Sequence, residues 1–167
     1  MDDRSEGGFD DFFRAHHRSL FGVALAMVGE VEAARDVAQE AMLRAFRDWH
    51  RVATLDRADM WVRRVTVNLA IDVRRRRARD LREAHRHRAP DAVWAIGSPA
   101  EASGLWEAVR ALPERQRAAV VLRYVEDLSI ADIAAILDVT DGTVKASLAH
   151  ARTSLSRRLA MEVDIDG

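Results

Sequence analysis

The sequence predicts an all-α fold of two small helical domains joined by a flexible linker. Apolar residues recur at helical spacing through most of the chain. The composition changes between Arg86 and Gly104, where two of the three prolines lie. A length of 167 residues allows two domains, each with a modest core. We therefore place the first domain at residues 9–85, the linker at 86–103 and the second domain at 104–160.

The charge composition does not by itself indicate a nucleic-acid partner, because the formal net charge is −1. The basic residues are unevenly distributed, however, and arginines crowd residues 74–88. The absence of cysteine excludes disulfides and thiolate zinc sites, and we expect no cofactor. No apolar run approaches the ~20 residues of a membrane span, and no signal peptide is evident. We therefore expect a soluble, cytoplasmic chain without membrane insertion.

The first predicted helix begins at Phe9, after a polar stretch that we expect to be frayed, and ends at Gly29. Its apolar stripe consists of Phe9, Phe12, Phe13, Leu20, Ala24 and Met27. His16 and His17 lie in the same helix, but no third ligand stands at a metal-like spacing from them. We interpret both histidines as packing or surface residues.

Residues 31–49 form the second predicted helix, which has an alanine-rich side and a polar side. A helical wheel places together Ala34, Ala38, Ala41, Ala45 and Trp49. The opposite side carries Asp36, Gln39, Glu40, Leu43 and Arg47. A polar stripe is usually a solvated face, but an apolar Leu43 among acids and an amide also fits a docking surface. The residues alone leave both interpretations open.

Residues 60–79 form the third predicted helix. Its core face consists of Val62, Val65, Leu69 and Val73. A second face consists of Arg64, Asn68, Ile71 and Arg75, with Arg63, Val67 and Arg74 beside it. Asn68 is a poor helix former, but its amide carries the donor and acceptor that recognition of a base edge requires. The consecutive arginines at 74–77 repel one another unless a polyanion neutralises them. A solvated basic face is the alternative.

The second domain contains four predicted helices. Leu105, Val109 and Leu112 line the first, and Pro113 starts the second, which buries Ala118, Val121, Leu122 and Val125. Within the preceding linker, Trp94 lies in an apolar island, residues 92–96, that packs locally or docks onto a partner.

The last two predicted helices form a helix-turn-helix. Ser129 stands three residues before Asp132 as an N-cap, residues 138–140 interrupt the periodicity, and Thr140 caps a longer helix. The buried side of that helix carries Val144, Leu148, Ala151, Leu155 and Leu159. A tight turn followed by a longer helix with a basic end predicts entry into a DNA major groove. An ordinary helical hairpin is the alternative.

Three segments in this order resemble the extracytoplasmic-function sigma factors of bacterial RNA polymerase, and the resemblance covers residues 9–160. The segments are DVAQEAMLRAFRDW at 36–49, WVRRVTVNLAIDVRRRR at 61–77 and ALPERQRAAVVLRYVEDLSIADIAAILDVTDGTVKASLAHAR at 111–152. The resemblance implies sigma region 2 in the first domain, region 4 in the second, and no catalysis by the chain itself. It implies core RNA polymerase and promoter DNA as partners, and an anti-sigma factor as an inhibitor.

The resemblance also assigns roles to three sets of residues. Those that would dock on the clamp helices of the largest polymerase subunit are Asp36, Gln39, Glu40, Leu43, Arg44 and Arg47. Those that would melt and read the −10 element are Trp61, Arg63, Arg64, Asn68, Ile71, Arg74 and Arg75. The loop at 55–59 would form part of the pocket for an extruded base. Those that would read the −35 element are Thr143, Lys145, Ala146, Ser147, His150 and Arg152.

The chain departs from the family pattern at two positions. Ser147 stands where the recognition helix commonly has an arginine that could make a bidentate base contact. Recognition of the −35 element then depends on the other polar residues of that helix, or on shape and phosphate contacts. Asp138 stands in the turn where glycine is frequent, and aspartate tolerates the left-handed conformation.

Two other functions fit less of the sequence. A stand-alone helix-turn-helix regulator would explain the second domain but would leave the Asn68 face and the polar stripe of the second helix without a role. A hydrolase or metal enzyme is disfavoured because His85 and His87 lie among arginines that repel cations. The sequence also lacks a nucleophile elbow and a phosphate-binding loop.

Overall fold

A computed structural model describes residues 3–87 and 104–165, with side chains for residues 8–84 and 104–160. Within these two ranges the regular structure is entirely α-helical, which confirms the predicted fold class. The helices are α1 Asp3–Val28, α2 Val31–Arg47, α3 Trp49–Val52, α4 Ala58–His87, α5 Gly104–Arg110, α6 Glu114–Tyr124, α7 Ile130–Leu137 and α8 Asp141–Ile165. Trp94 and nearly all of the predicted linker lie outside the described residues.

The predicted start of the first helix and the predicted end of the third are wrong. α1 begins at Asp3 instead of Phe9, because acidic residues in the first turns interact favourably with the positive end of the helix dipole. α4 continues to His87, past the predicted end at residue 79. The residues that follow the arginine run are strong helix formers, and two of the arginines are neutralised. Arg75 pairs with Glu114 and Arg77 with Glu30, each at 2.7 Å.

The N-terminal domain, α1–α4, is built on the alanine face of α2. Ala34, Ala38, Ala41 and Ala45 are fully buried, so α1 and α4 approach α2 closely. Trp49 lies in the separate short helix α3 rather than in α2, and its ring packs 5.4 Å from Phe9 and 5.1 Å from Phe12. Phe13, which we expected in the apolar stripe of α1, is 38% exposed.

The buried face of α4 is wider than predicted. Val62 is buried as expected, but Val65, Leu69 and Val73 are only half-buried. Thr66, Val67 and Ala70 are buried instead, so the placement of Val67 beside the exposed basic face was wrong. The Thr66 hydroxyl is satisfied because it donates to the Val62 carbonyl at 2.9 Å. The reason for the wider face is that α4 contacts α1, α2 and α7.

The C-terminal domain, α5–α8, packs α6 and α7 against α8. Val144, Leu148 and Ala151 of α8 are buried and Leu155 and Leu159 are half-buried, which confirms the predicted apolar side. In α6, Ala118, Val121 and Leu122 are buried as predicted. Val125 follows the end of that helix and is 39% exposed. Pro113 is the residue before α6 rather than its first helical residue.

The two domains are packed against each other. α1 contacts α5 and α6, and α4 contacts α7. One continuous cluster of buried side chains includes Met27 and Val67 from the first domain and Val121 and Ile133 from the second. Gly29, with φ 81°, ends α1 at the place where the Arg110 side chain crosses it, so a side chain at this position would collide with Arg110.

Candidate nucleic-acid interface

The α4 face predicted to read DNA is formed by four residues that recur every three or four positions. Arg64, Asn68 and Arg75 are exposed, and Ile71 is half-buried between them. The Asn68 amide makes no hydrogen bond within the described part of the chain. An exposed amide without an internal partner, between two arginines, is available to both the edge of a base and the adjoining strand.

The other three α4 residues predicted to read the −10 element contact neighbouring parts of the protein instead of facing solvent. Arg63 is nearly buried, and its guanidinium donates to Glu126 at 2.8 Å and to Asp59 at 3.1 Å. The Arg74 guanidinium donates to the backbone carbonyls of Met27 at 3.3 Å and Arg110 at 3.1 Å. Trp61 packs against the buried cluster of α1 and α2. These three side chains therefore fasten α4 to its neighbours.

Charge neighbours alter several pKa values at the start of α4. Burial acts to raise the pKa of the Asp59 carboxyl, but the hydrogen bond from Arg57, its charge and that of Arg63 together lower it below 3.8. Burial, followed by the charge of Arg63, lowers the pKa of the nearby His16 imidazole from 6.5. His16 is therefore predominantly neutral at pH 7, beside an ion pair between Arg63 and Glu126.

The helix-turn-helix has the capping geometry that its sequence predicts. The Ser129 hydroxyl accepts a hydrogen bond from the Asp132 amide at 3.1 Å, and Thr140 accepts one from the Thr143 amide at 3.2 Å. Asp138 ends α7 in the left-handed region, with φ 56°, as expected for a residue that replaces glycine there. The Lys145 side chain lies just after the capped first turn of α8, on its solvent side.

The residues predicted to read the −35 element fall into an exposed group and a half-buried group. Those that are exposed are Lys145, Ala146, His150 and Arg152. Thr143 and Ser147 are half-buried and line a cleft of about 420 Å³ between α8 and α4. Asn68, Ile71 and Arg75 line the same cleft from the α4 side. The structure therefore brings the two predicted DNA-reading sets together, which the sequence did not indicate.

The polar stripe of α2 lies on the side of the helix opposite its buried alanines. Asp36, Gln39, Leu43, Arg44 and Arg47 are exposed, and Glu40 is half-buried. Glu40 pairs with Arg44 across one helical turn at 2.8 Å. The stripe is accessible in the docked arrangement of the two domains.

An apolar patch accompanies this stripe, and the sequence interpretation missed it. Phe46 is 50% exposed, and Phe13 and Leu43 are each 38% exposed. The Phe9 ring connects the two phenylalanines, with centroids 5.0 Å from Phe46 and 6.2 Å from Phe13. Exposed aromatic side chains of this kind are typical of protein interfaces. The signal in the sequence was Phe46, which lies seven residues after Gln39 and therefore at the edge of the polar side of the wheel.

Four acidic residues of the second domain pair with residues of the first domain, and the sequence indicated none of these pairs. Their partners on the first domain are arginines: Glu114 pairs with Arg75, Glu126 with Arg63, Asp132 with Arg57, and Asp138 with Arg64. No local pattern could have indicated these pairs, because at least 39 residues separate the partners along the chain. By position each acid belongs to a helix end or turn, where capping alone accounts for it.

The described residues contain no group of three or more histidines and carboxylates that could hold a metal ion. In the same part of the chain, no helix is sufficiently long and apolar to cross a membrane.

Comparison with protein families finds matches in both domains. The family model described as Sigma-70 region 2 matches residues 12–80, and the model described as Sigma-70, region 4 matches residues 103–155.

Several curated proteins are similar along most of the chain. The extracytoplasmic-function (ECF) RNA polymerase sigma factor SigM of Mycobacterium tuberculosis is 38% identical over 159 residues, which is 90% of this chain and 76% of the relative. The RNA polymerase sigma-E factor of Streptomyces coelicolor is 30% identical over 160 residues, covering 95% and 89% of the two chains.

Two solved structures have a similar fold. One is the sigma factor RpoE in complex with the anti-sigma factor NepR from Bartonella quintana, with a TM-score of 0.74 and 21% identity over 92% of this chain and 97% of that one. The other is CnrH in complex with the cytosolic domain of CnrY, with a TM-score of 0.68 and 21% identity over 93% and 90% of the two chains.

Proposed function

The chain belongs to the extracytoplasmic-function RNA polymerase sigma factors, and we propose that it divides promoter recognition among three of its surfaces. A sigma factor binds core RNA polymerase and directs it to promoters, where it promotes melting and initiation. The proposal assigns these steps to the polar stripe of α2, the exposed face of α4 and the first turns of α8. It retains the domain boundaries 9–85, 86–103 and 104–160.

The observation that carries the proposal is the exposed, unpartnered amide of Asn68 between two exposed arginines of α4. Arg64 and Arg75 lie on the same face and supply cations that hold a strand, while the amide recognises one unpaired base of the −10 element. Ile71 supplies an apolar contact between them. Strand separation is then driven by binding of the unstacked bases, and no bond is made or broken by this chain.

The −35 element is assigned to α8 of the helix-turn-helix. The capped first turn of this helix positions the exposed Lys145, and His150 and Arg152 follow on later turns. Ser147 supplies no bidentate base contact, so we assign to α8 mainly contacts with phosphates and groove shape. Such contacts fix the register of the protein on the duplex more than they select its sequence.

We assign the binding of core RNA polymerase to a surface that consists of the α2 stripe and the apolar patch of Phe13, Leu43 and Phe46. The stripe is accessible, carries both signs of charge and adjoins exposed aromatic rings, as a specific protein interface does. The polymerase performs the chemistry, so we assign no enzymatic activity to this chain. Its place of action is the cytoplasm, where the polymerase works.

We also propose an anti-sigma factor as an inhibiting partner. The support is the similar fold of the sigma factor RpoE in its co-crystal structure with the anti-sigma factor NepR, and of CnrH in complex with the cytosolic domain of CnrY. Because the chain has no cysteine, a thiol-based signal would have to be detected by that partner.

In vitro transcription with purified core polymerase on a library of randomised promoters tests the proposal. We expect transcription from a subset of promoters with the chain present and none with core alone. Gel-shift titration of the chain without core should detect only weak duplex binding, because its net charge is −1. Tight, sequence-specific binding without polymerase would favour a stand-alone regulator instead.

A further inference from the structure

One side of α8 lacks the guanidinium that a paired contact with a base requires. Ser147 stands where the family commonly has an arginine, and its single hydroxyl offers only one donor. At about 100° per residue, Lys145 and Arg152 lie roughly 160° and 140° around the helix from Ser147. Within two turns of Ser147, α8 therefore has no cation on the same side of the helix. A paired base contact at this place has to come from another element.

Arg115 of α6 lies close to this side of α8. It is in the first turn of α6, and α6 packs against α8. Arg115, Thr143 and Ser147 line the same cleft of about 420 Å³, and the Arg115 side chain is exposed. All three residues belong to the C-terminal domain, so their arrangement relative to one another does not depend on how that domain packs against α4. A long cationic side chain from α6 therefore adjoins the place where α8 carries serine.

The fold does not account for an arginine at position 115. Within the described part of the chain, the Arg115 guanidinium makes no hydrogen bond or ion pair. Other charged residues of the same turn do have partners: Glu114 accepts from Arg75, and Arg117 donates to the Leu112 carbonyl. The first turn of a helix is the positive end of its dipole, where a cation is unfavourable. An exposed cation without an internal partner at this position indicates an external ligand with acceptor groups.

We infer that Arg115 reads a guanine of the −35 element, in place of the arginine that α8 lacks at Ser147. This inference rests on the function proposed above for the helix-turn-helix. The guanidinium fork donates two hydrogen bonds, one to O6 and one to N7 of the guanine. Because serine is small, the cleft beside it has room for the Arg115 side chain. The residues of α8 keep the phosphate contacts assigned to them, and recognition of the −35 element is shared between two helices.

Arg115→Ala separates base reading from phosphate binding. Transcription with core polymerase from a library randomised in the −35 element measures the base preference at each position. The unaltered chain should prefer guanine at one position, and Arg115→Ala should lower transcription from promoters with guanine there roughly tenfold relative to the others. A uniform loss on all promoters, with a shallower salt dependence, would make Arg115 a phosphate contact and overturn the inference. The absence of any guanine preference in the unaltered chain would overturn it as well.

A transplanted arginine tests the replacement directly. Ser147→Arg in the Arg115→Ala chain moves the guanidinium from α6 to α8, where the family commonly has it. We expect the preference for guanine to return at the same −35 position, because the two side chains adjoin the same space. A preference that returns at another position, or that does not return in a chain with unchanged circular dichroism, would show that the two residues do not replace each other.

Two controls distinguish this role from a structural one. Arg157→Ala removes an exposed arginine from a later turn of α8 and should leave the preference at every −35 position unchanged. Chemical denaturation of Arg115→Ala should show equal or higher stability, because alanine removes a cation from the positive end of α6, and a loss of stability would assign Arg115 to the fold. If the unaltered chain supports no promoter-specific transcription with core, the proposed function fails, and this inference with it. If it does and Arg115→Ala keeps every preference, this inference alone fails.

Discussion

Asn68→Ala should raise the stability of the chain and lower its activity, a combination that separates a reading residue from a structural one. The amide is exposed and makes no hydrogen bond in the described part of the chain, so folding loses nothing when it is removed. Alanine is the better helix former by about 0.5 kcal/mol, and the free energy of unfolding should rise by about that amount. The loss of hydrogen bonds to one base should cost roughly 1–3 kcal/mol in open-complex formation.

The cost converts to a five- to 150-fold loss, since about 1.4 kcal/mol corresponds to a factor of ten. Transcription from a promoter library measures it, and chemical denaturation measures the stability. With Asn68→Ala, the base preference should relax at a single −10 position. Arg64→Ala on the same face should instead lower transcription from all promoters alike. A variant that keeps its preference at every −10 position, or one that loses stability, would refute the assignment of Asn68 to base recognition.

Asp36→Arg with Glu40→Arg should weaken core binding by several kcal/mol, at least about a hundredfold, in fluorescence anisotropy, while the exposed reversal Glu107→Arg leaves it unchanged; equal affinities would remove α2 from the interface. Lys145→Ala should reduce open-complex formation on all promoters, with a shallower salt dependence, and a sharp change of sequence preference would contradict phosphate binding. The pKa of His16 is lowered on folding, so the unfolded chain binds more protons below pH 6.5 and stability should fall there; His16→Asn should remove part of that fall in denaturation curves.

The apolar periodicity of the sequence was sufficient to predict the fold class and the helix-turn-helix. Alternation at three and four residues places Val144, Leu148 and Ala151 on one side of α8 whatever the surroundings are. The caps at Ser129 and Thr140 are also local, because each hydroxyl bonds an amide only three residues away. The order of motifs was likewise sufficient to predict the family, and the matching family models and relatives confirm that prediction.

Which residues of α4 are buried could be determined only from the tertiary structure. A wheel assigns one apolar side to a helix, but α4 packs against helices of both domains, so Val67 is buried outside the predicted stripe. The exposure of Phe13 is the converse case, since its neighbours leave part of the aromatic ring uncovered. Sequence periodicity describes which residues share a face, and it contains no information about how many neighbours that face has.

The docking of the two domains was decided entirely by contacts distant in sequence. The composition of residues 74–77 predicted repulsion unless a polyanion was bound, but Glu114 and Glu30 supply part of the neutralisation from within the chain. Glu126 pairs with Arg63 and accepts a hydrogen bond from Ser19, and these two partners lie 63 and 107 positions before it along the chain. Neither separation leaves a periodic signal in the sequence. Ion pairs form wherever folding brings opposite charges together, so their partners depend on the three-dimensional path of the chain, which local sequence rules do not encode.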